Sequence, residues 1–435
     1  MSTRILRLAV FTLLLAFALT AQNEDKYNVN ERILRIRELG KKKPAVLPAL
    51  AQYLSDPNRD IRLEAVKAIV KIDTPASLDP LVVATRDKDE DVEIRATDGI
   101  VNTYVPGYVA KGGLTGSMTR GTRQVKSFFS SRNDQVIDED VQIRPDAAEA
   151  LSQVVASGAS IDARANAALA AGILRDRAAV PALLQSLHAK DDDLIFESLI
   201  ALQKIRDPAA GEGIGFLAHD LDDRIQATAL ETIGILRAQV AATDVRSALQ
   251  TARNARIRRA ALKSLAMLGA AQDRPTFLQY SHDRDPELRA SALEGLGRIR
   301  EPEDFPLLQQ SFDEGEIDWR IHLAAAFGMV NEGKVDTSEF SPLAYLMELL
   351  GTKGRSYAAS AYLTELAARE NVIDALTKMI PEMDKDQKIA LCRVLGNAHA
   401  AGSTAALNTL AKDIDPDVAF AASKALQITQ SRRSS

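Results

Sequence analysis

The chain has 435 residues, of which 46% are hydrophobic and 5% aromatic, and its formal net charge is −5. This acidic balance argues against a nucleic-acid-binding protein, because such proteins hold the phosphate backbone through basic surface. The single cysteine, Cys392, excludes a disulfide framework, and its position on a predicted helix favours a small buried side chain over a nucleophile.

Residues 1–21 have the pattern of an export signal. Arg4 and Arg7 precede an apolar run from Leu8 to Leu19, and the small Ala21 follows. The run is shorter than the roughly 20 apolar residues that a transmembrane helix needs. We therefore predict a cleaved signal peptide and a periplasmic or secreted mature protein. The alternative is a buried N-terminal helix.

An amphipathic pattern then recurs along the chain. Near its middle, Asp285 and Pro286 can begin a helix, and Leu288, Ala292 and Leu296 recur at the spacing of one helical face. From residue 195 onward, the first apolar position of each copy lies at 195, 225, 257, 288 and 319. A fixed period of this length is typical of a repeat array.

A proline begins the second half of each repeat. It precedes a short apolar run and suits the first turn of a helix, where its missing amide proton has no helical partner. Each repeat is therefore predicted to contain two helices joined by a short turn. The prolines in question are Pro48, Pro80, Pro181, Pro275, Pro306 and Pro342.

Two repeats show the shared residues most clearly. These residues are Asp60-Ile61-Arg62, Ala65-Val66, Ala68-Ile69, Leu288-Arg289, Ala292-Leu293 and Leu296-Gly297. They resemble HEAT repeats, specifically the short type named after phycobilisome lyases. The resemblance covers most of residues 30–430. It implies an all-α solenoid of about ten to twelve two-helix repeats, forming a curved superhelix over residues 22–430. It also implies an interaction scaffold, since such repeats are only occasionally enzyme bodies.

The repeat spacing is interrupted once, at about residues 105–142. The preceding repeat begins at Val92, and we interpret Ile143, Ala147 and Leu151 as the next first helix, 20 residues before the one at Ala163. Residues 105–132 are rich in glycine and contain no acidic residue, which predicts a basic loop. Residues 431–435 are predicted to be a disordered tail. The basic residues of the loop are Lys111, Arg120, Arg123, Lys126 and Arg132.

Catalytic motifs are absent from the sequence. The five histidines are scattered, and neither a zinc-protease motif nor a nucleophile elbow occurs. Acidic clusters precede several first helices, where they are predicted to cap helix N-termini and not to bind metal. The turn from Gly351 to Ser356 is predicted to end in a serine cap. We expect a non-enzyme without metal or cofactor; lyase-like activity is the minor alternative.

Arginines follow the first apolar position in several repeats. We predict that they pair with turn carboxylates of the neighbouring repeat, because every repeat has both partners. A ladder of binding arginines is the alternative. These arginines are Arg62, Arg164, Arg258, Arg289 and Arg320.

A recurring glutamine on the second helices gives the first functional hypothesis. Each glutamine lies four residues after its proline and is expected to face solvent on the concave side. There it can hydrogen-bond an extended peptide, so we predict a protein or peptide partner. A neutral solvated face is the alternative. The glutamines are Gln52, Gln185, Gln279 and Gln310.

The basic loop gives a second hypothesis, an adaptor for anionic membranes or polyanions. Five basic residues near an anionic leaflet contribute about 5 kcal/mol, which is too weak to anchor the protein alone. Nearby aromatic residues can add apolar contact. No nucleic-acid partner is expected.

Overall fold

A computed structural model describes residues 28–41, 44–111, 136–138, 140–314, 318–398 and 400–434. Regular structure in these ranges is entirely helical, as the all-α prediction requires. The predicted export signal lies outside them. None of the helices described is both long and apolar enough to cross a membrane.

The helices form successive pairs, as predicted. In chain order they are α1 (28–39), α2 (Leu47–Ala51), α3 (Arg59–Ile72), α4 (Leu78–Ala84), α5 (Glu90–Tyr104), α6 (Tyr108–Lys111), α7 (Pro145–Ser157), α8 (Ile161–Ile173), α9 (Val180–Ser186), α10 (Asp192–Ile205), α11 (Asp223–Ile235), α12 (Ala242–Gln250), α13 (Ala255–Leu268), α14 (Arg274–Tyr280), α15 (Pro286–Ile299), α16 (Phe305–Asp313), α17 (Trp319–Asn331), α18 (Pro342–Gly351), α19 (Ser356–Leu366), α20 (Glu370–Met379), α21 (Lys385–Asn397), α22 (Ser403–Leu410) and α23 (Pro416–Ser434). Most second helices pack against the first helix of the following pair, such as α14 against α15 and α16 against α17.

The chain divides into two compact units. Unit 1 contains the residues up to Ile137 and Ile143–Ile205, and unit 2 contains Asp138–Gln142 and the residues from Arg206 onward. In unit 2, the position after α10 where a second helix is expected holds two 3₁₀ segments, Pro208–Gly213 and Gly215–His219. The glycines of this stretch disfavour a regular helix.

Successive first helices pack directly on one another within each unit. Alanines on these helices, such as Ala292, are fully buried. A close approach of two first helices lies nine residues after the first apolar position of each repeat. A Cβ atom added to Gly297 on α15 would lie 2.4 Å from the Cα of Gly328 on α17. Glycine is therefore required where α15 and α17 cross. The two glycines are 31 residues apart, which is the spacing between these two repeats.

Carboxylates in the turns cap the first helices, as predicted. The Asp89 side chain accepts hydrogen bonds from the amides of Asp91 and Val92, and Asp415 does the same for Asp417 and Val418. These bonds satisfy amides that have no partner within the helix.

Arginines link neighbouring repeats at only some of the predicted positions. Arg62 forms a buried bidentate pair with Asp87 of the next turn, with Nε–Oδ2 2.7 Å and Nη2–Oδ1 2.8 Å. Arg289 likewise pairs with Glu314, with 2.6 Å between Nη2 and Oε2. Arg320 instead pairs within its own turn, with Asp318. The inter-repeat prediction is confirmed for Arg62 and Arg289 and wrong for Arg320.

The helix at 145–157 corrects the sequence interpretation. It was predicted to be a first helix, but α7 lies at the second-helix position of the pair begun by α5. The Arg144 amide donates to the Tyr104 hydroxyl at 2.9 Å, and the Ala159 amide donates to Glu93 Oε2 at 2.7 Å, so α5 and α7 run antiparallel. The insertion therefore interrupts one repeat and does not separate two. This explains the short step to α8.

Near the C-terminus, α23 continues through Ser434. The disordered tail stays a prediction. Cys392 is fully buried, as predicted, and burial raises the pKa of its thiol to about 12.

Helix α19, a first helix of unit 2, contacts a first helix beyond the one immediately before it. The Tyr362 hydroxyl donates to Glu294 Oε2 on α15 at 2.7 Å, and the Tyr362 ring stacks on Phe327 of α17 with centroids 4.4 Å apart. Arg298 of α15 binds Glu294 at 2.9 Å and also Glu365 of α19. We call these five residues the buried Arg298 network. It ties α19 to two earlier first helices.

Candidate functional site

Two predicted glutamines lie on neighbouring second helices of unit 2. Gln279 of α14 and Gln310 of α16 are both exposed, because Phe277 and Leu308 occupy the buried side of their helices. The Gln310 side-chain amide donates to Glu314 Oε1 at 3.2 Å. Successive repeats therefore present an amide to solvent at the same position.

The other two glutamines belong to unit 1. Gln185 is exposed on α9, as predicted, and Gln52 is exposed in the 3₁₀ segment Gln52–Ser55 that follows α2. The structure thus places two glutamines in each unit. Their role in binding stays a prediction.

The predicted basic loop falls almost entirely outside the described residues. Lys111 is the last residue of α6. Arg120, Arg123, Lys126 and Arg132 lie beyond the residues that the structure describes, so the membrane hypothesis stays a prediction as well.

An aromatic cluster adjoins the second-helix face at the end of α16. Phe312, His322 and Tyr345 surround one another, with ring centroids 5.8–6.0 Å apart. His322 Nε2 lies 2.8 Å from the backbone oxygen of Glu314, the residue whose side chain Gln310 binds. The cluster is therefore continuous with the exposed amide of α16.

Trp319, the only tryptophan of the chain, stands beside this cluster at the start of α17. The guanidinium carbons of Arg320 and Arg355 lie 5.2 and 5.3 Å from its ring centroid. The Tyr345 hydroxyl donates to the Trp319 backbone oxygen at 3.5 Å. We call Trp319, Arg320, Tyr345 and Arg355 the Trp–Arg patch. Trp319 and Tyr345 are half-buried, and Arg355 is exposed.

A tight turn places Arg355 over the tryptophan. Gly354 has φ +84°, a conformation that side-chain-bearing residues rarely adopt. The serine cap predicted here is wrong, because Arg355 occupies the cap position and Ser356 is already helical. The turn therefore serves to direct an exposed arginine back onto α17.

Some charged side chains around the patch have an ion-pair partner and others do not. Asp318 caps α17 and pairs with Arg320 at 2.8 Å. Arg355 and the exposed Lys353 have no carboxylate within ion-pair distance among the residues described. Burial raises the pKa of Tyr345, against the opposing effect of Arg355. The patch, together with Lys353 two residues before Arg355, combines apolar ring surface with two exposed cations that can bind an anionic partner.

Sequence reasoning did not find this patch. The sequence predicts Trp319 as the first apolar position of its repeat and the Gly351–Ser356 turn as a glycine turn with a serine cap, without contact between the two. The signal was a lone tryptophan followed by arginine, together with a Gly-Arg turn one helix later. Among the residues described, no group of His, Cys, Asp or Glu could hold a metal ion.

The model of the HEAT repeat family matches residues 16–100 and 242–328. The chain contains HEAT repeats. The second matched region runs from α12 into α17, so it carries Gln279, Gln310 and Trp319. No curated protein sequence matches the chain significantly.

Several solved structures are similar to this chain, each with a TM-score below 0.5. The phycocyanin lyase complex of CpcE and CpcF from Nostoc sp. PCC7120 is 18% identical, with TM-score 0.37, over 57% of this chain and 94% of that one. Human deoxyhypusine hydroxylase is 18% identical, with TM-score 0.28, over 58% and 96%. Kap121p bound to Pho4p is 14% identical, with TM-score 0.36, over 90% and 45%. These similarities concern the fold alone.

Proposed function

We propose that this HEAT-repeat protein is a non-catalytic, exported scaffold that binds an extended segment of a protein partner along α14 and α16. The observation that carries the proposal is the repeated exposed amide of Gln279 and Gln310. A glutamine side chain both donates and accepts, as a peptide backbone does. Equivalent positions on successive helices can therefore bind successive parts of one extended chain.

The surface around these amides suits such a partner. Exposed uncharged side chains lie beside both amides, namely Leu278 on α14 and Gln309 on α16, while Asp313 is an exposed charge at the end of α16. Uncharged side chains do not have to release tightly held water or counterions before they contact a backbone. Recognition through main-chain groups also tolerates varied partner sequences.

Ion pairs fix the spacing between the second helices. Arg246 of α12 binds Asp273 at 2.6 Å, and Arg274 of α14 binds Asp304 at 2.7 Å. Both carboxylates are almost fully buried, with side chains 3% and 2% exposed. A preorganised spacing lowers the entropy lost when a partner binds.

The test begins with affinity capture of the mature protein's partner from its own cell envelope, followed by calorimetry with the purified partner. Replacing Gln279 and Gln310 together with alanine removes two hydrogen-bonding groups. At about 0.5–1.5 kcal/mol for each group, affinity falls about 5- to 150-fold. The matched control is Gln153→Ala, an exposed glutamine of α7 in unit 1 that is not among the predicted binding residues. Unchanged affinity in the unit 2 variant would rule out the second-helix face.

A further inference from the structure

We propose that the Trp–Arg patch docks an acidic segment of the partner, with one apolar side chain against Trp319 and Tyr345 and a neighbouring carboxylate on Arg355 and Lys353. The inference rests on the proposed function, which it deepens by naming the chemistry of the partner. It concerns a separate part of the surface, so the two proposals can fail independently.

The patch lies where a segment bound along α14 and α16 would continue. Gln310 contacts Glu314, and the backbone of Glu314 contacts His322. His322 and Tyr345 are ring neighbours at 5.8 Å, and the Tyr345 hydroxyl reaches Trp319. A chain leaving the amide of α16 in this direction therefore meets aromatic surface next.

The residue types match those that dominate binding energy at interfaces. Tryptophan, tyrosine and arginine are enriched at hot spots, because they combine large apolar area with a fixed polar group. Trp319 and Tyr345 are held in place by their half-buried packing, and the Tyr345 hydroxyl donates to the Trp319 backbone oxygen. Arg355 is held over the ring, so little side-chain freedom remains to be lost when it binds an anion.

Charge selects an acidic occupant over a basic one. Asp318 already pairs with Arg320, while Glu348, the other carboxylate that faces Tyr345, is exposed on α18. Arg355 and Lys353 remain to bind a partner carboxylate. Arginine binds carboxylates through two parallel hydrogen bonds, which fixes orientation as well as sign.

The single tryptophan makes the test direct, because the fluorescence of Trp319 reports on the patch alone. Purified full-length protein is titrated with four short capped peptides that alternate Glu and Leu, Gln and Leu, Lys and Leu, or Glu and Ser. We expect a saturable change with the Glu–Leu peptide. Its affinity should exceed that of each other peptide by about tenfold, or 1.4 kcal/mol.

Variants locate the binding site. Arg355→Glu with Lys353→Glu should weaken the Glu–Leu peptide by at least about tenfold. Lys378→Glu, an exposed lysine in the last turn of α20, is the matched control and should change affinity less than about twofold. Circular dichroism verifies that each variant is folded.

Three results would overturn the inference. They are no saturable change with the Glu–Leu peptide, equal affinity for the Gln–Leu peptide, and equal weakening by the control variant. Binding of oligothymidine as tightly as the Glu–Leu peptide would assign the patch to single-stranded nucleic acid instead.

The glutamine variant separates the two proposals. If Gln279→Ala with Gln310→Ala leaves peptide affinity unchanged while the Arg355 and Lys353 changes reduce it, the patch is established and the second-helix face is not. The opposite pattern retains the second-helix face and removes the patch.

Discussion

Unit 2 contains arginine against an aromatic ring in two settings that differ in burial. In the buried Arg298 network, the guanidinium lies 4.9 Å from the Phe327 centroid, its side chain is 8% exposed, and two carboxylates bind it. In the Trp–Arg patch, Arg320 and Arg355 lie slightly farther from Trp319, and the Arg320 side chain is 43% exposed.

The difference lies in how completely the charges are satisfied. Burial opposes the charge of Arg298, but Glu294 and Glu365 outweigh it and raise the pKa of the guanidinium. Two carboxylates of the protein therefore satisfy the charge of Arg298, and the network stabilises the position of α19. The exposed patch retains binding capacity, because the Arg355 side chain has no carboxylate partner among the residues described. The same pairing of residue types serves folding in one place and is available for recognition in the other.

The largest expected effect comes from breaking the buried network. Glu294→Ala leaves Arg298 without one of its two carboxylates and Tyr362 without an acceptor. Loss of one partner of a buried ion pair costs about 3–5 kcal/mol of unfolding free energy. Urea denaturation followed by circular dichroism measures it. Glu348→Ala, at an exposed site near the patch, is the control and should cost less than about 0.5 kcal/mol. Equal losses would show that burial does not distinguish the regions.

Asp176 is a buried carboxylate for which the described residues provide no arginine partner, so it tests the effect of burial alone. The Asp176 side chain in unit 1 is buried, and burial raises its pKa to about 6 despite hydrogen bonds from the backbone. A raised acid pKa means that the folded state binds protons more tightly, so ionised Asp176 destabilises the fold at neutral pH. Asp176→Asn should therefore stabilise unit 1 by about 2 kcal/mol at pH 7.

The pH dependence distinguishes this explanation from better packing. The gain from Asp176→Asn should shrink as pH falls from about 6 toward 4, since the native carboxyl then becomes protonated and neutral. Denaturation of both proteins across this range checks the trend. A gain that does not change with pH would contradict the electrostatic cause.

Two tyrosines provide the smallest and most closely matched test. Tyr362→Phe removes the 2.7 Å bond to Glu294 and leaves a buried carboxylate without one donor, which costs about 1–3 kcal/mol. Tyr345→Phe removes a 3.5 Å bond at a half-buried site and should cost less than about 0.5 kcal/mol. Thermal unfolding of the two variants compares them. A larger loss of stability in Tyr345→Phe than in Tyr362→Phe would contradict the distinction between the buried network and the exposed patch.

The repeat architecture was predictable because it depends on local chemistry. Asp285, Pro286 and the spacing from Leu288 onward specify where α15 begins and which face it buries, and the structure confirms each. The solvent exposure of Gln185 followed from the same periodicity. Such features need only the neighbours within one helix.

Features that depend on distant contacts were missed. Nothing near Tyr362 indicates that it meets Glu294, 68 residues earlier. Ile143 was assigned to a first helix because an apolar face does not reveal which helix it packs against. The Trp–Arg patch likewise joins two helices and a turn, and repeat spacing carries no information about that contact.

The insertion after α5 has a consequence for engineering the protein. Because the amide of Arg144 returns to the hydroxyl of Tyr104, the chain re-enters the fold beside the point where it left. The length of the insertion therefore does not affect the packing of later helices. Doubling the length of a loop costs only about 0.6 kcal/mol of loop-closure free energy. A reporter domain or an affinity tag can therefore be inserted at this position without changing the packing of the helices before and after it.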